Sequence, residues 1–386
     1  MKEILVRGPV LSNSGYGVHS RQIARWLIER GANVTFQVLP WGETNWIIND
    51  EFENGLIKEI FKRTNYNPNK IYDISFQIQL PHEWDTKLAK QNIGITAGVE
   101  TDRCNPDWIQ NVLMMDKVVV PSTFTKKSFT TTSSVLDNKI VVIPESFDDE
   151  FLNENPKEID FKLNTKFNFL IFGQITGNNV LNDRKNIFYT IKWLCETFKS
   201  DPDVGIIIKT NAGKSSKIDK NIVRNIFSKS IEELNKGEFP RIQLLHGFLN
   251  QEEINSLYRN PKIKALVSLT RGEGYGLPLL EAATCGLPVI TTNWSGQLEF
   301  LNKGKFVGID YTLEKIHQSR IDNKVFIKDA QWAQVLEDDF KRKIKKFKSA
   351  PEFPQQWAKD LSIKLKDSFN FKSIINLYEN EFKIIL

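Results

Sequence analysis

The stretch Ser268-Leu-Thr-Arg-Gly-Glu273-Gly-Tyr-Gly-Leu-Pro278-Leu-Leu-Glu281-Ala-Ala-Thr-Cys-Gly-Leu-Pro-Val-Ile290 decides how this chain is read. An apolar run gives way to a loop with glycines at 272, 274 and 276 and one carboxylate, Glu273. A helix then opens at Pro278 carrying a second carboxylate, Glu281, and another apolar run starts at Pro288. Glycines at that density permit positive φ and let backbone amides come close to a ligand. Proline suits a first helical turn, where its missing N–H costs nothing. Orphan amides and the helix dipole favour an anion there. The spacing of the two glutamates means little alone, since Glu51/Glu59 and Glu150/Glu158 are also eight apart. The setting carries the argument: an anion flanked by two hydroxyl-seeking carboxylates describes a nucleotide sugar.

The segment resembles the donor-site motif of family 4 of the retaining glycosyltransferases, enzymes of the GT-B fold with two Rossmann-like domains facing each other across a cleft. The resemblance implies that Glu273 contacts hydroxyls of the transferred sugar and that Glu281 holds the ribose. It assigns the diphosphate to the amides of Gly274, Tyr275, Gly276 and Leu277. It also implies metal-independent transfer with retention of stereochemistry, a nucleoside-diphosphate sugar as co-substrate, no further cofactor, and domains that close on the donor.

At 386 residues the chain is long enough for two domains, each with a sizeable core. With 40% hydrophobic and 26% charged residues it reads as soluble and globular. No apolar run reaches the ~18 residues of a membrane span. Met1-Lys-Glu-Ile-Leu-Val-Arg7 enters a strand-like pattern without the apolar core of a secretory signal. The expected location is the cytoplasm, with peripheral membrane contact left open. Cys104, Cys195 and Cys285 are odd in number and widely spaced, which fits reduced thiols, and four His without a Cys/His cluster argue against structural zinc. A net charge of +5 favours anionic partners such as nucleotides, phospholipid or nucleic acid without choosing among them.

Strand-like runs at 3–7, 33–39, 73–78, 92–96, 117–120 and 140–143 form one series, and runs at 167–172, 205–209, 241–245, 265–269, 288–292 and 305–309 a second. Both alternate with helical periodicity, which predicts an α/β chain of two doubly wound parallel sheets. The expected division is an acceptor-side domain over 1–155 and a nucleotide-sugar donor domain over 156–355. The closing helix of 356–386 resembles the one that crosses back onto the first domain in GT-B enzymes. Residues 144–166, rich in Asp, Glu and Asn, read as the connection. Residues 40–66, with Trp41 and Trp46, read equally as an insertion beside the cleft or an ordinary peripheral helix.

Other constellations extend the resemblance. Gly15 and Gly17 in Gly8-Pro-Val-Leu-Ser-Asn-Ser-Gly15-Tyr-Gly17 match the family's first loop, which meets the donor phosphates or the acceptor; a plain turn is the alternative. Arg184 and Lys185 match a basic pair that grips the pyrophosphate and neutralises charge on the departing diphosphate. Lys209 ends a strand, where α/β sheets place ligand contacts. His246 and Gly247 match a turn beside the nucleobase. Where many members carry a His near the reacting sugar, this chain has Glu100 and Asp102, which either orient the acceptor hydroxyl or cap the next segment. His19 and His82 are other candidates for that place, with a packed or surface histidine as the first reading of each. The basic run at Lys341 to Lys348, with Ile and Phe interspersed, reads first as a solvated helix face and second as a weak contact with an anionic membrane or nucleic acid.

The resulting expectation is sugar transfer to an acceptor hydroxyl on a glycan, lipid, protein or hydroxylated DNA base. Nucleotide-sugar epimerisation or phosphorolysis, or non-catalytic binding of a sugar nucleotide, are the competing readings.

Overall fold

The computed structural model describes residues 2–42, 44–177, 179–210, 216–234 and 240–383. The chain divides into two compact units, the first made of Met1–Ser146, Asn323–Ile327 and Phe371–Leu386, the second of Phe147–Asp322 and Lys328–Asn370. The division therefore falls at Ser146/Phe147, ahead of the expected 155/156.

The first unit is built on six parallel strands, β1 (Glu3–Gly8), β2 (Asn33–Val38), β3 (Tyr72–Ile78), β4 (Ala89–Ile95), β5 (Lys117–Val120) and β6 (Ile140–Val142), in the order β2-β1-β3-β4-β5-β6. Ile4, Leu5 and Val6 are all fully buried, the mark of a strand covered on both faces. Helices α1 (Gly15–Glu29), α2 (Phe52–Lys62), α3 (Trp108–Met114) and α4 (Thr123–Thr132) connect them. Ser14 caps α1 by accepting from the Gly17 amide at 3.1 Å.

The second unit repeats the plan with a different winding. Strands β7 (Phe167–Phe172), β8 (Val204–Thr210), β9 (Arg241–His246), β10 (Ile263–Ser268), β11 (Val289–Thr292) and β12 (Val307–Ile309) lie in the order β12-β11-β10-β7-β8-β9, all parallel. This is the Rossmann order, whose reversal point lies between β7 and β10; ligands of such sheets sit at the strands' carboxyl ends there. The helices are α5 (Ile187–Thr197), α6 (Lys217–Leu234), α7 (Gln251–Tyr258), α8 (Leu277–Thr284), α9 (Leu298–Leu301), α10 (Glu337–Ser349) and α11 (Glu352–Ser368). All twelve strand-like runs of the sequence are strands, with ends displaced by at most three residues. An antiparallel hairpin, β13 (Tyr311–Lys315) with β14 (Gln331–Val335), was not anticipated.

The terminal segment is two helices rather than one. Ser362 Oγ donates to the Thr284 carbonyl at 2.5 Å and keeps α11 on the second unit. Asn370 Nδ2 then donates to the carbonyls of Lys366 and Asp367, both at 2.8 Å, and closes α11. The last helix, α12 (Phe371–Phe382), belongs to the first unit, where Tyr378 packs on Trp26 and its hydroxyl meets His19 Nε2 at 3.0 Å. His19 is thus a packed histidine, and burial holds its pKa down at about 3.

The basic run of α10 has little left for a membrane. Ile344 and Phe347 are buried in the second unit's core. Lys341 lies against Glu196 and Glu337, Arg342 against Asp339, Lys343 against Asp339 and Lys348 against Asp201. Its apolar side chains are consumed by packing and most of its charge by local pairs. Among the described residues no helix is long and apolar enough to cross a membrane.

Candidate functional site

The carboxyl ends of β10, β7, β8 and β9 lie side by side, because those strands are neighbours in one parallel sheet. Glu273 lies in the loop after β10 and Arg184 and Lys185 in the loop after β7, so the reversal point brings them together. Lys185 Nζ lies 2.7 Å from Glu273 Oε1, and Arg184 Nη1 lies 3.2 Å from Oε2 and donates to the Gly272 carbonyl at 2.6 Å. Glu273 is only 5% exposed. Burial would push its pKa up, but Lys185 and Arg184 outweigh that and hold it below the ordinary carboxylate value. A buried anion with two cations is a charge-rich centre at the place where this fold binds ligands.

Both loops are fixed by side chains that pattern reading missed. The Glu273 amide donates to Ser295 Oγ at 3.0 Å, Ser295 Oγ donates to Gln297 Oε1 at 2.7 Å, and Gly296 N donates to the Glu273 carbonyl at 2.9 Å. A Cβ on Gly296 would lie 2.0 Å from the Gly274 carbonyl oxygen, so only glycine lets these two loops touch. In the loop after β7, Asp183 accepts from Thr176 N and Oγ1 at 3.0 and 2.9 Å and from the Ile187 amide at 2.8 Å, while Thr176 Oγ1 accepts from the Arg184 amide at 2.9 Å. Arg271 joins the two loops. Its amide donates to the Arg184 carbonyl at 2.8 Å, and its guanidinium reaches the Asp183 carbonyl, pairs with Gln334 Oε1 and stacks over Trp332. Trp332 and Gln334 belong to β14, so the unanticipated hairpin buttresses the loop that carries the cations. Ser319 and Arg320, between its strands, also reach that loop, at Asn182 Nδ2 and the Thr176 carbonyl.

Gly276 turns the chain into α8 with φ +100°, and the helix starts at Leu277, one residue before the expected Pro278. The amides of Gly274 to Leu277 precede and open that helix. The Tyr275 side chain is buried and packs edge-on against Phe300. Glu281 follows one turn into α8, with Tyr258 Oη 3.3 Å from its Oε2. Burial, then the nearby Asp148 charge, raise its pKa to about 8 against the opposing hydrogen bond from Tyr258. Lys209, in β8, is buried, donates to the Gly247 carbonyl at 2.6 Å, and has its pKa lowered by burial to about 8. Gly247, with φ +112°, follows His246 at the end of β9.

The remaining candidates lie in the first unit. A Cβ on Gly17 would fall 2.0 Å from the Ser12 carbonyl oxygen, so steric crowding alone accounts for that glycine. At Gly15 a Cβ would meet nothing within 4 Å. Glu100 and Asp102 follow β4; Asp102 Oδ2 accepts from its neighbour Arg103 at 3.1 Å. His82 stacks on Trp108. Among the described residues no cluster of three or more His, Cys, Asp or Glu is disposed to hold a metal ion.

Residues 227–360, which span β9 to β12 and the Glu273–Glu281 segment, match the family model of glycosyl transferases, group 1. That segment is similar to the group 1 glycosyltransferases. Over 214 residues it is 26% identical to a probable sucrose-phosphate synthase of Thermosipho melanesiensis, an alignment that covers 55% of this chain and 45% of that protein. The chain thus spans less than half the length of the curated relative it matches. Whole-chain structural likeness extends to the sucrose-phosphate synthase of Thermosynechococcus elongatus (TM-score 0.61, 13% identity, covering 99% of this chain and 100% of that one). It extends also to Anabaena HepE in complex with UDP-glucose (TM-score 0.61, 14% identity, 99% and 100% covered). The fold is GT-B.

Proposed function

We propose that this glycosyltransferase moves a sugar from a nucleoside-diphosphate sugar to an acceptor hydroxyl, with retention at the anomeric carbon and without a metal. The observation that carries the reading is the Glu273 carboxylate held between Lys185 and Arg184 at the sheet's reversal point. In it, the donor pyrophosphate lies against the amides that open α8 and draws on Arg184 and Lys185, while Glu273 accepts hydroxyls of the transferred sugar. Glu281 and the turn at His246 and Gly247 hold the ribose and base, and Lys209 adds a phosphate contact. HepE, a whole-chain structural neighbour, was solved with UDP-glucose, which supports a nucleotide-sugar donor.

In the reaction the bond from the anomeric carbon to the phosphate oxygen breaks, and the diphosphate leaves with the electron pair. The acceptor oxygen bonds to the same face of that carbon and passes its proton to the leaving phosphate oxygen. Fixed cations stabilise charge where it develops, at no cost of reorganisation during the step. In the first unit, Glu100 and Asp102 are assigned to orienting the acceptor hydroxyl.

The test is a thermal-shift screen of UDP-, GDP- and ADP-sugars, since a ligand of the folded state raises Tm by mass action, followed by transfer assays. Binding of one nucleotide class, and loss of transfer in Glu273→Gln and Lys185→Ala, is the expected result. Full turnover in both variants would refute the reading.

A further inference from the structure

The carboxyl edge of the first unit's sheet carries an aromatic pair with no part in the donor chemistry. Tyr16, the second residue of α1, stacks on Trp41 with ring centroids 3.9 Å apart and planes 20° from parallel. The Tyr16 hydroxyl lies 2.9 Å from Thr96 Oγ1 and accepts from the Ala97 amide at 3.0 Å, which pins the ring to the end of β4. Trp41 belongs to the segment after β2, and that segment is laced to the loop after β1. Ser12 Oγ and Thr44 Oγ1 are 2.6 Å apart, Ile47 N donates to the Leu11 carbonyl at 2.7 Å, and Asn13 N to the Asn45 carbonyl at 3.0 Å. Loops from three strands therefore hold one pair of rings, and both rings stay partly exposed.

Two neighbours give the pair a polar and an open side. Burial raises the Tyr16 pKa, and the Glu100 charge adds to that, so Glu100 lies within electrostatic reach of the ring's hydroxyl edge. Gly15 precedes Tyr16, is exposed, and lacks both the positive φ and the crowding that would demand glycine. A side chain at this position would project into open space beside the aromatic pair.

We propose that Tyr16 and Trp41, with Gly15 and Glu100, form a subsite for a pyranose ring of the acceptor, so that the acceptor is a carbohydrate. The apolar C–H face of a pyranose fits the negative face of an aromatic ring, while a carboxylate beside it accepts the ring's hydroxyls. Trp41 and Gly15 thereby become acceptor-specificity residues. This rests on the glycosyl-transfer reading and supplies its missing substrate class.

Saturation-transfer NMR on the full chain tests it, with methyl α-D-glucopyranoside and maltose as glycoside probes and 5-hydroxymethyl-2′-deoxycytidine as a base probe. Binding of UDP, GDP and ADP is followed in parallel by calorimetry. The glycosides should contact the protein through ring C–H protons. Their affinity should fall about tenfold, equivalent to about 1.4 kcal/mol, in Trp41→Ala, stay close to wild type in Trp41→Phe, and fall in Gly15→Leu, which should keep the wild-type Tm. Nucleotide affinity should be unchanged in all three. If Trp41→Ala does not fold, Gly15→Leu decides. Glycoside binding that is absent from the wild type or undiminished in Gly15→Leu overturns the proposal, as does Trp41-dependent binding of the nucleoside alone. Failure of every nucleotide to bind the wild type would instead strike the donor reading.

Discussion

Glu281 offers the most exacting test of the donor site, because its role and its ionisation pull against each other. Burial on α8 and the Asp148 charge raise its pKa to about 8 from the ordinary 4.5. A group that accepts two ribose hydroxyls must be a carboxylate, so at neutral pH the donor has to expel a proton before the contact forms. Each pH unit below about 8 then costs about 1.36 kcal/mol. Donor Kd should fall by about fiftyfold between pH 6 and pH 8, with one proton released per donor bound at the acid end. Calorimetric titration of the nucleotide sugar in buffers of different ionisation enthalpy counts that proton directly. Glu281→Gln should bind weakly at every pH, without the acid-side slope or the proton release.

The folding side of the same titration has the opposite sign. Because the folded pKa lies above the unfolded value, the folded chain holds a proton that the unfolded chain has given up between about pH 4.5 and 8. The stability this group contributes is present in full below about 4.5 and is lost as pH rises through about 8. Raising the pH should therefore tighten donor binding while lowering Tm, a combination that general stabilisation of the fold cannot produce. A pH-independent Kd with no buffer-dependent enthalpy would refute the assignment of Glu281 to the ribose.

Lys209, whose pKa burial lowers to about 8, should impose an alkaline limb on donor affinity as it loses its charge above that pH; Lys209→Met should remove that limb in the same calorimetric series and leave the acid limb in place. Lys185→Ala leaves Glu273 with Arg184 as its remaining cation, so the cost in chemical denaturation should stay below the ~3–5 kcal/mol of a fully orphaned buried charge, while kcat drops by at least about a hundredfold. Gly17→Ala and Gly296→Ala each drive a Cβ to 2.0 Å from a carbonyl oxygen and should destabilise by about 1–3 kcal/mol or more, seen as a lower Tm in scanning calorimetry, whereas Gly15→Ala should be neutral or stabilising. Arg271→Ala should raise donor KM and lower kcat together without touching any substrate, and Arg271→Lys should recover little, because one ammonium cannot span the guanidinium's contacts.

The strands were legible because a strand buried on both faces of a parallel sheet must be a short, continuous apolar run, and the twelve such runs were separated by helical spacing and turn residues. The turn from the Glu273 loop into α8 was legible for a related reason: glycine supplies the positive φ at Gly276 and proline suits the helix's first turn. What escaped were contacts that depend on distant residues meeting. Ser295, Gln297 and Asp183 are ordinary polar residues in sequence, and only the folded chain turns them into the frame that aims Glu273, Arg184 and Lys185. The hairpin β13–β14 escaped because Tyr311-Thr-Leu-Glu-Lys315 is mostly exposed, so no alternation of buried and exposed positions announces it.

Arg271 shows why that loss matters for reading function. In sequence it is a basic residue between an apolar run and a glycine loop. In the fold it is 3% exposed, stacked on Trp332 and bonded to the chain on both sides of Arg184. Its charge is used on protein carbonyls and amides and the face of an indole, which lets a rigid cation set the position of two others. Electrostatic stabilisation of a leaving group depends on cations that do not have to move when charge develops. Burying one arginine completely to fix another is therefore consistent with the chemistry assigned to Arg184 and Lys185, and inconsistent with a surface basic pair that merely faces water.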